Sequence, residues 1–294
     1  MYELIQLNEH DYYIDCPCRI GVVQVGENEA VLVDSGNDAG TAKKVLRALE
    51  GKGWTLRAVY ATHAHADHVG GCKLLRDRTG CAVYVRGIES SYAEYTVLNA
   101  AGLWGGRPFG DLKHKFLLAD PCPVQKLTAD CLPAGWQMLD LPGHSYEMTG
   151  FLTPDGTAFV GDAVSAPETI EKYGVCFLRD VGQSLDSLEK LKTVQAETFV
   201  PAHVAPMREI APVADYNRDA ILGVIDCILR HSAAPITQEE LLKCVFDDYN
   251  MVMTAQNYAL TGSTLRSYLS WLRDNGRVDV SFAENRMYWQ AVKE

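Results

Sequence analysis

Four side chains that can bind a metal ion lie within six residues of one another, in the segment His63-Ala64-His65-Ala66-Asp67-His68. Imidazole nitrogen and carboxylate oxygen are ligands that Zn²⁺ and similar first-row ions accept. The segment follows an apolar run at 58–61 that reads as a β-strand, and a helical pattern comes after it. A strand-to-helix turn presents His63 and His65 in one direction and Asp67 and His68 toward a second position nearby. We therefore predict a metal site in this segment.

Three further candidate ligands follow apolar, strand-like runs. His144 comes after Leu141-Pro142-Gly143, Asp162 after the run 159–161, and His203 after the run 199–202. Chemistry in α/β folds gathers where strands end along one rim of a sheet. We therefore expect these three side chains to join the cluster at 63–68.

The elements that must position these residues alternate along the first third of the chain. Strand-like runs at 20–25, 30–33, 58–61 and 82–85 are separated by helical patterns, which predicts sheets covered by helices. The stretch 87–130 breaks this pattern with glycines, prolines and aromatic residues, and is typical of a lid or an insertion. Strands resume at 138–141, 150–152, 158–160 and 198–200, with a helix at 185–194.

The C-terminal part, 213–294, reads as a separate small unit of helices followed by a hairpin. Thr237 and Glu240 form a capping box for one helix, and Gly276 ends another. This pattern resembles a winged helix, a class that often binds DNA. However, the last eighty residues carry eight basic and eleven acidic side chains, a net charge of −3, whereas duplex binding favours a basic face. We expect no nucleic-acid partner, and a role in packing or in a homodimer.

Composition restricts the class of protein further. The chain has 294 residues, 47% of them hydrophobic, and a net charge of −11, which excludes a mainly disordered chain and disfavours phosphate binding. No segment approaches the ~18 consecutive apolar residues of a membrane span. The N-terminus lacks the pattern of a secretory signal, and the nine cysteines are scattered, so we expect reduced thiols and a cytoplasmic location.

The sequence resembles the metallo-β-lactamase superfamily of hydrolases, with a glyoxalase II-like core. The matching residues span 34–203 and occur in the family's order: Asp34, His63-x-His65-x-Asp67-His68, His144, Asp162 and His203. The resemblance implies an α/β (α+β) fold, namely a four-layer αββα sandwich with metals at one edge. The expected catalytic domain is 1–212, with 87–130 as its lid or insertion, followed by the small C-terminal winged-helix-like domain at 213–294.

Carried over position by position, the resemblance implies a site for two Zn²⁺ ions, with iron or manganese as alternatives. His63, His65 and His144 would hold one ion. Asp67, His68 and His203 would hold the other, Asp162 would bridge the two, and Asp34 would support the ligands from behind. Metal binding lowers the pKa of water toward ~7. The implied enzyme is a dinuclear zinc hydrolase in which a metal-bridged hydroxide attacks the substrate while Asp67 orients it and accepts its proton.

The expected substrate is a small ester, thioester or related acyl compound. Glyoxalase II carries a Gly-Cys-Gly run with basic and tyrosine groups after the bridging aspartate. Lys172 and Tyr173 lie in this region, but the glycine run is absent, which disfavours glutathione thioesters and leaves other thioesters open. Tyr92, Tyr95 and Trp104 are further candidates to line a substrate pocket.

Other activities stay open at this point. A phosphodiesterase or nuclease of the same superfamily is kept in view by the winged-helix-like tail. A mononuclear-iron oxygenase resembling the persulfide dioxygenase branch would share the histidine cluster. A non-catalytic regulatory protein is disfavoured, because every metal position is filled.

Overall fold

The computed structural model describes residues 2–292 and contains three β-sheets and ten α-helices within them. Lys293 and Glu294, which the sequence assigns to the C-terminal unit, lie outside the described residues. The strands are β1 Glu3–Gln6, β2 Asp11–Asp15, β3 Ile20–Gly26, β4 Glu29–Val33, β5 Thr55–Tyr60, β6 Ala82–Val85, β7 Gln125–Lys126, β8 Gln137–Asp140, β9 Thr149–Leu152, β10 Thr157–Gly161, β11 Thr198–Pro201, β12 Val278–Ala283 and β13 Arg286–Ala291.

The helices fall into short ones near the cluster of candidate ligands and longer ones that cover the sheets. They are α1 Ala39–Lys52, α2 Ala66–Val69, α3 Cys72–Thr79, α4 Glu89–Glu94, α5 Val97–Trp104, α6 Pro167–Tyr173, α7 Val181–Leu191, α8 Ala211–His231, α9 Gln238–Asp248 and α10 Ala255–Asp274. None of the helices within residues 2–292 is long and apolar enough to cross a membrane.

Two sheets face each other across a shared apolar layer. The first sheet has seven strands in the order β1 to β7, antiparallel from β1 to β4 and parallel from β4 to β7. The second has four, in the order β11-β10-β9-β8. Side chains from both sheets, among them Tyr60, Trp136, Phe151 and Phe159, meet in one buried cluster. Sheets that pack in this way bury alternate residues of each strand between them.

Helices cover the outer faces of both sheets. On the first sheet, apolar residues of α1 and α3 such as Val45, Leu49 and Leu75 join the buried cluster that includes Ile14 and Val22. On the second sheet, α7 and α8 share a buried cluster with strands β8 and β10. The order helix, sheet, sheet, helix confirms the predicted four-layer sandwich.

The C-terminal elements pack directly on the second sheet's side of the molecule. Residues of α9 and α10, among them Leu241 and Tyr268, belong to the same buried cluster as Leu188 of α7. The predicted capping box is present, since Thr237 and Glu240 bond each other's backbone N–H. Strands β12 and β13 form the predicted hairpin. The assignment of this unit to the winged-helix class stays a prediction.

Some boundaries differ from the sequence-based expectation. Strands β1 and β2 were not predicted, because they are short and are stabilised by pairing with each other and with β3. Helix α7 begins at Val181, since the carboxylate of Asp180 caps it by accepting a hydrogen bond from Gln183 N at 2.9 Å. Within 87–130 the chain forms α4, α5 and β7 rather than one irregular connection. Its role as a lid stays a prediction.

Phe151 tests the packing of the two sheets. Its side chain is fully buried between them, whereas Phe282 on the terminal hairpin is 77% exposed. Phe151→Ala removes the same atoms as Phe282→Ala but leaves a cavity, so it is expected to lower the free energy of unfolding by ~3–5 kcal/mol. The exposed control is expected to change it by less than ~0.5 kcal/mol. Urea denaturation measures both, and equal losses would contradict the buried layer.

Candidate metal centre

Three histidine nitrogens converge at one end of the sandwich. His63 Nε2 lies 2.9 Å from His65 Nδ1, and His65 Nδ1 lies 3.0 Å from His144 Nε2. Three ring nitrogens that face one another cannot all form hydrogen bonds with each other, because each such bond needs one nitrogen with a proton and one without. Their separations allow one ion to bind all three at the ~2.0–2.1 Å that zinc–nitrogen bonds require. The structure thus brings together the three histidines expected to hold one metal.

Each histidine ring has a second nitrogen that points away from the cluster. The hydrogen bond of that second nitrogen determines whether the nitrogen inside the cluster is free to bind a metal. Thr62 Oγ1 donates to Asp34 Oδ2 at 2.9 Å and therefore accepts from His63 Nδ1 at 3.0 Å, which leaves His63 Nε2 unprotonated. His144 Nδ1 donates to the carbonyl of Phe177 at 3.2 Å. Such partners orient metal-binding histidines and fix their tautomers. The free nitrogens of His63 and His144 therefore face the cluster.

A second set of ligands lies beside the first. His203 Nε2 is 3.1 Å from Asp67 Oδ2, and His68 Nε2 is 3.8 Å from the same oxygen. Asp162 lies between the two sets, with Oδ1 3.3 Å from His68 Nε2 and Oδ2 3.3 Å from His144 Nε2. One carboxylate thus presents an oxygen to each set, which is the arrangement a bridging ligand needs.

The donor set fits two divalent cations. Asp162 Oδ1 is buried and, although His68 Nε2 lies 3.3 Å away, it accepts no well-aligned hydrogen bond within the described residues. A buried, unpartnered carboxylate oxygen is costly unless a cation lies beside it. The first group of candidate ligands, His63, His65 and His144, offers nitrogen donors and no sulfur. Nitrogen donors together with carboxylates suit zinc, iron or manganese.

Electrostatics within the cluster show how strongly the side chains act on one another. Burial would raise the pKa of Asp67, but the charge of His68 and the hydrogen bond from His203 lower that pKa to about 2. The charge of Asp162, with the hydrogen bond that His203 donates to Asp67, raises the pKa of His203 to about 9. Burial, together with the neighbouring His68, lowers the pKa of His63 well below its usual range. Asp67 is thus held ionised and His63 neutral, the forms that bind metals, whereas His203 releases a proton when a metal binds.

Two glycines let the chain turn just before a ligand. Gly143 precedes His144 with φ +127°, and a Cβ there would lie 2.4 Å from the backbone nitrogen of Ser184. Gly161 precedes Asp162 with φ +54°, and a Cβ there would lie 2.9 Å from Thr62 Oγ1. Positive φ and close approach are both tolerated by glycine. These turns bring two strand ends against the His63–His68 segment.

Asp34 supports the centre from behind the ligands, as the resemblance implied. Its buried carboxylate accepts from Thr62 N at 2.7 Å through Oδ1 and from His68 Nδ1 at 2.8 Å through Oδ2. Its own backbone is left-handed, with φ +66°, a conformation that aspartate tolerates better than most residues. The carboxylate therefore fixes both the loop entrance and the ring of a metal ligand.

Sequence reasoning missed several residues that hold the histidine loop. Glu89 of α4 is buried and accepts from Ala64 N at 3.1 Å, while Asn99 of α5 donates to Ala64 O at 3.0 Å. Cys18 Sγ lies 3.7 Å from His68 Nε2. Cys18 is part of a Cys-Pro-Cys triplet, Cys16 to Cys18, with no second cysteine pair at the spacing of a zinc site. Each residue stands alone in the sequence, so no local pattern signals its role.

Two cavities open onto the centre, and His144, Asp162, Phe177 and Leu260 line both. The smaller, of about 190 Å³, also includes His65, Asp67, Asn99, Leu103, Phe116, Leu117, Arg179 and Gln256. The larger, of about 380 Å³, runs between α6 and α10, and its lining includes the predicted substrate residues Lys172 and Tyr173. Phe177 and Leu260 therefore lie where the two cavities meet.

The other three predicted substrate residues lie away from these cavities. Tyr92 packs toward Tyr146, with ring centroids 6.1 Å apart, and Tyr95 is 64% exposed. Trp104 stacks edge-on against Phe109, with centroids 5.0 Å apart. None of the three lines either cavity in the described structure. Their contact with substrate stays a prediction.

Paired sheets covered by helices, with clustered histidines and aspartates at the strand ends, define the class of αββα proteins with a candidate metal site at one edge. This chain belongs to the metallo-beta-lactamase superfamily, whose family model matches residues 13–203. The sequence-based identification of the family and its fold is thereby confirmed.

Individual relatives agree with this membership. The chain is 28% identical over 201 residues to a hydroxyacylglutathione hydrolase of Erythrobacter litoralis, covering 66% of this chain and 69% of that one. It is 50% identical over 162 residues to a hydroxyacylglutathione hydrolase of Bradyrhizobium sp., covering 53% of this chain and 51% of the relative, so it spans about half that relative's length.

A solved structure extends the likeness in fold to almost the whole chain. A metallo-beta-lactamase family protein of Thermus thermophilus superposes with a TM-score of 0.73 at 18% identity, covering 99% of this chain and 98% of that one. The C-terminal helices and hairpin are therefore part of a shared architecture. At this identity the likeness concerns the fold alone.

Metal content tests the two ligand sets. The wild-type protein, loaded with zinc and desalted, is expected to retain about two zinc ions per chain, and His144→Ala or His203→Ala about one. His10→Ala is the matched control, because His10 lies at the surface and bonds Asp155. Inductively coupled plasma mass spectrometry gives the count. Unchanged zinc in both ligand variants would show that these residues do not bind metal.

Asp34 can be tested by an isosteric change. Asp34→Asn keeps the shape but removes the charge that holds His68 and the Thr62 hydroxyl, so zinc affinity is expected to fall ~10–100-fold. Competition with a chromophoric chelator measures the dissociation constant. Asp77→Asn, which loses only an exposed bond to Lys73, should leave that constant unchanged. An Asp34 variant with wild-type affinity would argue against the supporting role.

Proposed function

We propose that this protein is a zinc-dependent hydrolase of small acyl thioesters. The observation that carries the proposal is the pair of cavities that share His144, Asp162, Phe177 and Leu260. A thioester has an acyl arm and a thiol arm on either side of its carbonyl group. A substrate with an arm in each cavity would have its carbonyl beside the metal ligands.

The ligands and their neighbours assign distinct tasks to the chain. Two divalent ions bound here would supply activated water at neutral pH and stabilise negative charge on the carbonyl oxygen. Asp67 lines the smaller cavity, so its carboxylate is placed to orient the attacking water and to accept its proton. Phe177 and Leu260 exclude bulk water from the junction, which strengthens electrostatic interactions there.

The larger cavity is suited to the thiol arm. Lys172 and Tyr173 line it together with Asn257 of α10, so one cation, one hydroxyl and one amide face the same space. The two relatives described above are named hydroxyacylglutathione hydrolases, and that name describes a thioester substrate. The glyoxalase II pattern has a Gly-Cys-Gly run after the bridging aspartate. The Ala163-Val164-Ser165 run after Asp162 has no glycine, which supports a thiol arm other than glutathione.

A substrate panel tests the proposal. Zinc-loaded protein is assayed with glutathione, coenzyme A and N-acetylcysteamine thioesters of one acyl group, by trapping the released thiol. Activity is expected on at least one thioester, and Asp67→Asn is expected to lower kcat ~10²–10⁴-fold because it removes the proton acceptor. Asp77→Asn, an exposed carboxylate on α3, is the matched control and should keep wild-type kcat.

The same panel separates the alternatives. A phosphodiester and a β-lactam are included, and dioxygen consumption is followed with a persulfide in iron-loaded protein. Cleavage of the phosphodiester without thioester hydrolysis would support the nuclease alternative. One iron per chain with sulfur oxidation would replace the hydrolase proposal with an oxygenase.

A further inference from the structure

The guanidinium of Arg179 lies between two aromatic rings at the wall of the smaller cavity. Its central carbon is 5.3 Å from the ring centroid of Phe177 and 5.5 Å from that of Tyr146. It also lies against α5 at Gly102, where an added Cβ would be 3.2 Å from Nη1. Stacked rings hold a guanidinium in one orientation with its N–H groups directed sideways.

This guanidinium has no anionic partner in the part of the chain that the structure describes. Within residues 2–292 it forms no ion pair and donates no hydrogen bond to another protein group. Arg86, by comparison, pairs with Asp140 at 2.6 Å, and Arg218 pairs with Asp215 at 2.7 Å. A half-buried cation with unused donors is a ready site for an anion.

The backbone of Arg179 is tied to the metal centre. Arg179 N and Asp180 N both donate to the carbonyl of Gly143, at 2.8 and 3.0 Å, and Gly143 directly precedes His144. His144 Nδ1 in turn bonds the carbonyl of Phe177. Ser267 Oγ of α10 donates to the carbonyl of Arg179 at 2.9 Å. Arg179 and the ligand His144 are thus held in one rigid segment, at a fixed separation.

The cavity between Arg179 and the centre has the character of an acyl pocket. Leu103, Leu117 and Leu260 give it apolar walls, while His65 and Asp67 lie at the metal end. Its volume of about 190 Å³ accommodates a short chain. Arg179 lines this space together with His65 and Asp67, so its positive charge faces the same cavity as the metal end.

We propose that Arg179 binds a carboxylate at the far end of the substrate's acyl arm, so that the preferred substrates are acidic acyl thioesters. The assignment of the arm rests on the proposed thioester function. Guanidinium and carboxylate match as planar partners with two parallel hydrogen bonds. The apolar walls would contact the methylene groups between that carboxylate and the carbonyl that is attacked.

Binding of thiol inhibitors tests this proposal without any turnover. Thiols bind zinc through sulfur, so 3-mercaptopropionate and 4-mercaptobutyrate are compared with the alkyl thiols of equal length by calorimetry on zinc-loaded protein. Wild type is expected to bind at least one acid about tenfold more tightly than its alkyl match. R179Q is expected to lose that preference while retaining zinc and the affinity for alkyl thiols. R179K should retain part of it.

The matched control is Arg47→Gln, an exposed arginine on α1, which should keep the full preference. Wild-type protein that binds acid and alkyl thiols equally, or binds neither, overturns the proposal. An R179Q variant that keeps the preference overturns it as well.

Kinetics separate this proposal from the proposed function. Succinyl and glutaryl thioesters are compared with butyryl and valeryl thioesters of the same thiol. R179Q is expected to raise KM about tenfold for the acidic pair, with kcat and the neutral pair unchanged, because a ground-state contact is lost. No hydrolysis of any thioester by wild type would reject the proposed function, and the thiol-binding result would still decide the role of Arg179. Equal effects on both pairs would reject the anion site alone.

Discussion

The hydrogen bonds of the Asp34 carboxylate are the interaction on which the centre depends. Asp34 ends β4, and its two oxygens bond the start of the histidine loop at Thr62 and the ring of His68. The backbone adds to this link, since Ser35 N donates to the carbonyl of His68 at 2.7 Å. Because a buried carboxylate with full hydrogen bonding is rigid, it holds the candidate ligands of the 63–68 segment in a fixed position at the strand ends of the first sheet.

The centre is completed by parts of the chain far apart in sequence. The second sheet contributes Asp162 and His203 at the ends of β10 and β11, each after a tight turn or strand end. The helices α4 and α5 fix the histidine loop through Ala64, and α10 contacts the 177–180 segment through Thr264 and Ser267. Residues of the sandwich and of the C-terminal unit therefore line the same cavities, so the shape of these cavities depends on how the C-terminal helices pack.

Charge is distributed in a way that net composition does not reveal. The chain carries a net charge of −11, yet five of its eight histidines belong to the candidate metal centre, and two of them, His65 and His144, line the smaller cavity together with Arg179. Asp67, Asp162 and Asp34 lie among these histidines and hold them in place through short contacts. Charges in this buried cluster are screened less than charges at the surface. The net charge of the chain therefore does not describe the electrostatics of the centre.

The sequence by itself determined the family, the order of the main strands and the cluster of candidate ligands, because these depend on local patterns. Alternating strand and helix signals, four ligands within six residues and the capping box at Thr237 are each readable without neighbours in space. Only the tertiary structure decided that Phe177 lies where two cavities meet, that Glu89 and Asn99 hold the histidine loop, and that Arg179 lies beside the centre with no ion pair among residues 2–292. It also decided that Tyr95 is exposed to solvent. The physical reason is that these roles arise from contacts between single residues distant in the chain, and such contacts leave no periodic signal.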